Sequence, residues 1–215
     1  MTFNSLIIQV PLNLMLVVLI PLALIKLFSN FDSDIGETLR LRKRDVIIII
    51  IASLLYIITS TLLLSNDINM WINTSLITGY LIFCSYTDLK TKLLYTIISV
   101  ALLIIEGIWL VIDIENIVFN EYTWTILIVL LILYLMSIPK FLGLGDALIY
   151  SVITTYLVHY RIIPTMSLII NLLLANVLFL VITVILKVIK KDKERHQPFT
   201  LFIAISTCIC SLLLV

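Results

Sequence analysis

The sequence predicts an all-α membrane protein, a polytopic bundle of about eight transmembrane helices with both termini outside. Three observations lead there. Of 215 residues, 62% are hydrophobic and 13% charged, and the mean hydropathy is +1.21, too apolar a balance for a soluble globular domain. Apolar runs of ~20 residues, the length that crosses a ~30 Å hydrocarbon core, recur along the chain with short polar breaks between them. The runs are continuous rather than alternating in polarity, which argues against a β-barrel.

The apolar segments lie near residues 4–28, 46–65, 71–87, 94–112, 122–138, 143–160, 163–187 and 199–215. The first lacks a basic n-region and a small-residue cleavage site, and its apolar stretch exceeds a signal-peptide h-region. It is therefore expected as a span, bent at Pro11 or Pro21, where proline removes a backbone donor. Residues 29–45 are expected as a short cytoplasmic loop. No Gly/Ser-rich linker or low-complexity tract divides the chain, so residues 1–215 are expected as one domain.

Eight spans sort the loops onto two faces. Lys26, Arg40, Arg42, Lys43, Arg44, Lys90, Lys92, Lys140, Lys187, Lys190, Lys191, Lys193 and Arg195 fall on one, and Arg161 alone falls on the other. By the positive-inside rule the crowded face is cytoplasmic. The run "KVIKKDKERH" is then a topology determinant that meets anionic head groups, with the lipid bilayer and not nucleic acid as its neighbour.

Two carboxylates stand out against this frame. Asp88, in "CSYTDLKTKLL", lies where the third span reaches the cytoplasmic face, and Asp146, in "FLGLGDALIY", lies where the sixth leaves it. Each has a simple structural explanation: Asp146 as a helix-start carboxylate favoured by the dipole, Asp88 as the partner of Lys92 one turn on. Together, at similar depth on one face, they form a candidate acid–base pair, because ionisable groups at membrane depth mark functional sites by default. Close approach lets one carboxylate ionise while the other keeps its proton, the asymmetry that peptide hydrolysis by water requires. Which one is the base stays open, since such a pair titrates as a unit. Gly143 and Gly145, lacking Cβ atoms, allow close backbone approach, of an extended substrate among others.

Three stretches in order carry a family resemblance. "YTDLKTKLL" resembles the first aspartate motif of the type IV prepilin and preflagellin peptidases. "GLGD" is the GxGD pattern of the same intramembrane aspartyl protease class, and "QPFTLFIAIS" looks like the Pro-Phe stretch that opens the family's last span. The resemblance implies a membrane-embedded aspartyl endopeptidase with Asp88 and Asp146 as the dyad. It implies a prepilin-like substrate, cut at the junction of a short leader and an apolar helix at the cytoplasmic face of the cell membrane. Gly143, Gly145, Lys90, Lys92, Pro198 and Phe199 are the residues expected to shape the site or bind substrate. Two motifs depart from the family: its Ile-Pro or Leu-Pro reads Leu94-Tyr95, and its Pro-Phe-Gly-Pro reads Pro198-Phe199-Thr200-Leu201. Many bacterial relatives insert paired CxxC motifs between the first two spans. Here residues 29–45 contain no cysteine, so neither zinc nor N-methyltransferase activity is expected, and no cofactor.

Lys90, Lys92 and Lys140 surround the aspartates, and Asp32, Asp34 or Glu37 are candidates to offset them. Glu106, in the outer half of the fourth span, is costly there unless protonated or paired. Asn171 and Asn176 are expected to make interhelical hydrogen bonds. His159 and His196 lack partners at metal-ligand spacing and are expected in solvent. Cys84, Cys208 and Cys210 are expected as small apolar residues without a disulfide. Two other function classes fit the same residues: a proton- or cation-coupled transporter using the acids, and a non-catalytic membrane assembly protein derived from the peptidase.

Overall fold

The computed structural model describes residues 3–31, 36–63, 68–91, 95–112, 121–138, 143–159, 165–190 and 199–213, and among them every regular element is an α-helix. These are α1 (Phe3–Phe31), α2 (Gly36–Leu39), α3 (Lys43–Leu63), α4 (Ile68–Thr91), α5 (Thr96–Ile112), α6 (Glu121–Ser137), α7 (Leu144–His159), α8 (Thr165–Lys190) and α9 (Thr200–Leu213). Each of the eight apolar segments coincides with one helix to within a few residues. The short α2 is the addition: it lies in the 29–45 stretch, and its Leu39 is fully buried in the core. Both prolines of α1 fall inside a continuous helix. Val10–Phe31 is the one described stretch long and apolar enough to cross a membrane by length and composition.

Helix α4 is the hub. It packs most extensively on α1, then on α9, with smaller contacts to α2 and α3, while α5 and α6 pack on α7 and α8 packs on α9. At the α1–α4 crossing, a Cβ on Gly79 would lie 3.1 Å from the Ile20 Cβ. The missing side chain lets the two backbones approach, as small residues do in membrane helix pairs. Side-chain hydrogen bonds tie α4 to the α5–α7 group. Tyr80 and Ser99 hydroxyls lie 2.6 Å apart, Asn73 Nδ2 donates to Glu106 Oε2 at 3.3 Å, and the Thr74 and Tyr156 hydroxyls bond to each other. One continuous core, containing Ile25, Tyr80, Phe83, Cys84, Ala147, Ile149 and Ile153, spans both groups.

Large apolar side chains lie on the outside of the bundle as well as in its core. Large aliphatic side chains such as Ile47, Ile51, Leu55, Leu131, Leu173 and Leu180 are exposed, whereas Ser53, Thr87, Ser151, Thr154, Asn171 and Ser206 are buried. Most buried hydroxyls are satisfied within their own helix: Ser53 donates to the Ile49 carbonyl, Ser151 to Ala147 and Thr155 to Ser151, each four residues back. This back-bonding is how hydroxyls are accommodated on a helix without water. Asn171 bridges α8 to α9, donating to Thr207 Oγ1 at 3.1 Å and accepting from Ser206. Asn176 departs from expectation: exposed, it bonds back to the Leu172 carbonyl of its own helix.

Candidate active site

Asp88 stands in the last turn of α4, where the helix dipole disfavours a carboxylate. A second helix offsets this. The backbone N–H of Thr200, first residue of α9, donates to Asp88 Oδ2 at 3.1 Å. Asp88 thus caps α9 from another helix, satisfying one of its orphan amides. The chain enters α9 at Phe199, whose carbonyl accepts from Phe202 and Ile203 and whose ring meets Phe179 edge-on at 5.3 Å. Phe199 and Thr200 sit beside Asp88 because Phe199 is wedged on α8 and Thr200 then points its amide at Asp88.

Asp146 is the third residue of α7, a position where a carboxylate complements the positive helix start. Gly143 precedes the helix and its carbonyl accepts from Ala147 N–H at 2.9 Å. The side chain folds back over that glycine: a Cβ on Gly143 would lie 3.0 Å from Asp146 Oδ2. Here the motif's first glycine has a physical reason, since the carboxylate occupies the space a side chain would need. Gly145, in the first turn, is half-buried, as is Asp146 itself.

Cys84, buried on α4 one turn before Asp88, belongs to the same core as Ala147, the residue after Asp146. The third and sixth apolar segments are in direct contact at the opposite end as well, through Thr74 and Tyr156. Among the described residues no group of three His, Cys, Asp or Glu side chains is arranged to hold a metal ion.

Lys90 has a different neighbour. Its ammonium reaches α3, forming an ion pair with Asp45 Oδ2 at 3.1 Å, and lies 5.5 Å from the centre of the Tyr86 ring. Asp45 Oδ2 also accepts from Tyr86 at 3.3 Å and from the Arg42 amide at 3.2 Å, the second contact being the acidic half of a capping box at the start of α3. Burial works to raise the Asp45 carboxyl, but Lys90, the Arg42 amide and Tyr86 together hold it below the usual carboxylate range. The residue that offsets Lys90 is thus Asp45, which the sequence reading passed over. Its signal was present in "RKRD": an acid three residues after the last loop residue, at the third position of a helix. Lys92, Lys140, Pro198, His196, Asp32 and Asp34 lie outside the described residues, as do the side chains of Glu37, His159, Cys208 and Cys210. Cys84 is a buried free thiol.

Tyr95 stands where the resemblance has proline. Its ring lies 4.2 Å from that of Phe28 and 6.0 Å from that of Phe83, so the departure adds an aromatic junction of α1, α4 and the start of α5. Glu106 is 1% exposed, held by Asn73, with Oε1 unpartnered. No protein-family model, curated protein or solved structure matches this chain.

Proposed function

We propose that this chain is a multi-pass aspartyl endopeptidase of the prepilin peptidase type. It crosses the cell membrane about eight times with both termini outside, and its site lies near the cytoplasmic face. One observation carries the reading: Asp88, held by the Thr200 amide, and Asp146, seated over Gly143, lie at the ends of two helices whose adjoining residues Cys84 and Ala147 belong to one core. The exposed aliphatic surface with hydroxyls turned inward supports the bilayer as solvent, since large exposed apolar areas mark membrane or protein contact.

The dyad shares one proton. The ionised carboxylate takes a proton from water as the water oxygen attacks the scissile carbonyl carbon, and the protonated partner donates to the carbonyl oxygen. Collapse of the tetrahedral intermediate breaks the C–N bond, with a proton delivered to the leaving amine. The α9 amide on Asp88 and the start of α7 under Asp146 orient the two carboxylates. The substrate is a prepilin-like protein with a short leader and an apolar helix; no metal, cofactor or methyl transfer is needed.

The test is cleavage of a membrane-embedded prepilin-like substrate by wild type, Asp88→Asn and Asp146→Asn, each with a fold check. Loss of cutting in both folded variants supports the dyad, and wild-type activity in either one removes it. Glu106, buried with one oxygen unpartnered, favours a proton-coupled transporter as the second reading. Proton flux into vesicles that Glu106→Gln abolishes would select it.

A further inference from the structure

Helix α8, 26 residues long, packs on α9 and on no other described helix to a comparable extent. Two asparagines mark its two sides. Asn171 is buried and turned inward, where it donates to Thr207 Oγ1 and accepts from Ser206, both of α9. Asn176 stands about 140° further around the helix, as five residues at 3.6 per turn require, and is exposed. Its neighbours on that side, Ile169, Leu173, Leu180 and Val184, are exposed as well. Ile169, Leu173, Asn176 and Leu180 succeed one another at four, three and four residues, the a/d spacing of a seam between two helices. Val184 carries the stripe one turn further, to about 22 Å of rise.

The amide sets this stripe apart from a surface made for lipid. Asn176 Nδ2 donates to the Leu172 carbonyl at 2.7 Å, and among the described residues that is its one hydrogen bond. The side-chain oxygen and the second N–H remain, on an exposed side chain that a partner can reach, midway along an apolar segment. Hydrocarbon offers them nothing, and an unmet amide there costs free energy. An acyl chain covers Leu173 and Leu180 well but leaves the amide unmet.

The amide also names the partner. It carries both a donor and an acceptor, so two copies of the same side chain satisfy each other. Copies of one chain insert with one topology, so a twofold axis relating them runs along the bilayer normal and sets α8 parallel to α8. On such an axis a residue meets its own counterpart, and Leu173 and Leu180 close around the amide from the turns on either side. A lone Asn in an otherwise apolar seam is what fixes register and oligomer state in a helix pair. Toward α9 the same helix already uses an asparagine in this way.

We infer that the outer face of α8 is a homodimer interface in which Asn176 of one copy bonds Asn176 of the other across a twofold axis. The inference rests on the membrane reading of the bundle and is independent of the dyad.

The experiment uses the full chain, purified in detergent micelles and in its native membranes. Sedimentation over a concentration series is expected to show a monomer–dimer equilibrium. Asn176→Leu, close in size and apolar, is expected to raise its Kd about three- to tenfold, the range for one interhelical hydrogen bond in a bilayer. In a Cys208→Ala, Cys210→Ala background, with Cys84 buried, Leu173→Cys and Leu180→Cys should form disulfide-linked dimers when membranes are oxidised with copper phenanthroline. Ile51→Cys, on the exposed side of α3, should form none. A monomer at every concentration, with no disulfide dimer at either α8 position, overturns the inference and leaves the face to lipid. So does an Asn176→Leu dimer of wild-type strength, or a Leu173→Cys that links to a different membrane protein in place of its own copy. A chain released from lysed cells without detergent sinks the membrane reading and this inference with it, whereas a monomer that needs detergent sinks this inference alone.

Discussion

Asp45 and Asp146 occupy the same local position, third in a helix whose start they complement, yet their surroundings separate them. Asp45 is 4% exposed and enclosed by a cation, a phenol and an amide. Asp146 is half-buried and folds back over the glycine that precedes its helix. The first arrangement satisfies a charge and fastens α3 to α4. The second sets a half-buried carboxylate beside the core residue Ala147, over a glycine that leaves it room. Position in a helix does not tell one acid's surroundings from another's; the groups packed against it do.

The largest effect that would break this comparison is on activity. Asp146→Asn is expected to lower kcat by on the order of 10²–10⁴, the range for losing a general acid or base, while Asp45→Asn keeps cleavage near wild type; a peptide-cleavage assay run on both reads the contrast. Stability should show the reverse. Asp45→Ala leaves Lys90 and Tyr86 without their acceptor and is expected to cost roughly 1–3 kcal/mol, seen as a lower thermal midpoint in micelles, whereas Asp146→Asn stays close to wild type. Gly143→Ala sharpens the comparison. The new methyl meets Asp146 Oδ2 at 3.0 Å and turns the carboxylate, so kcat should fall by about tenfold through misplacement with KM little changed; unchanged kcat would mean that the carboxylate's seat over the glycine is immaterial.

The smallest effect is a pH dependence. Because the Asp45 carboxyl is lowered on folding, its stabilisation is fully present above the unfolded carboxylate value of about 3.9. It is lost as pH falls from there through the lower folded value. Asp45→Asn is therefore expected to flatten the acid limb of the stability curve below about pH 4, measured by thermal melts from neutral to acid pH; an unchanged limb would mean that the ion pair contributes nothing.

The helices were legible from apolar runs alone, because a run of the right length between charged breaks has one economical backbone solution when its amides must be met internally. The candidate dyad was legible as two acids in motif context. Asp45 was passed over because its role depends on Lys90 from another helix, and "RKRD" looks like any solvated basic loop. Asn176 was misjudged for a related reason: an amide on a helix can turn to a neighbour or to its own backbone, and which it does depends on the face it ends up on.

What the sequence determined by itself is the set of helices, their polar breaks and the presence of two acids beside glycines and a Pro-Phe. Those are local properties, set by hydropathy and by the conformations each residue permits. Only the tertiary structure decided that Thr200 lends its amide to Asp88, that Lys90 turns to Asp45, and that Asn171 bridges α8 to α9. Each depends on which helix faces come together, and that choice is made by the packing of side chains such as Ile20 against Gly79, which no single segment contains.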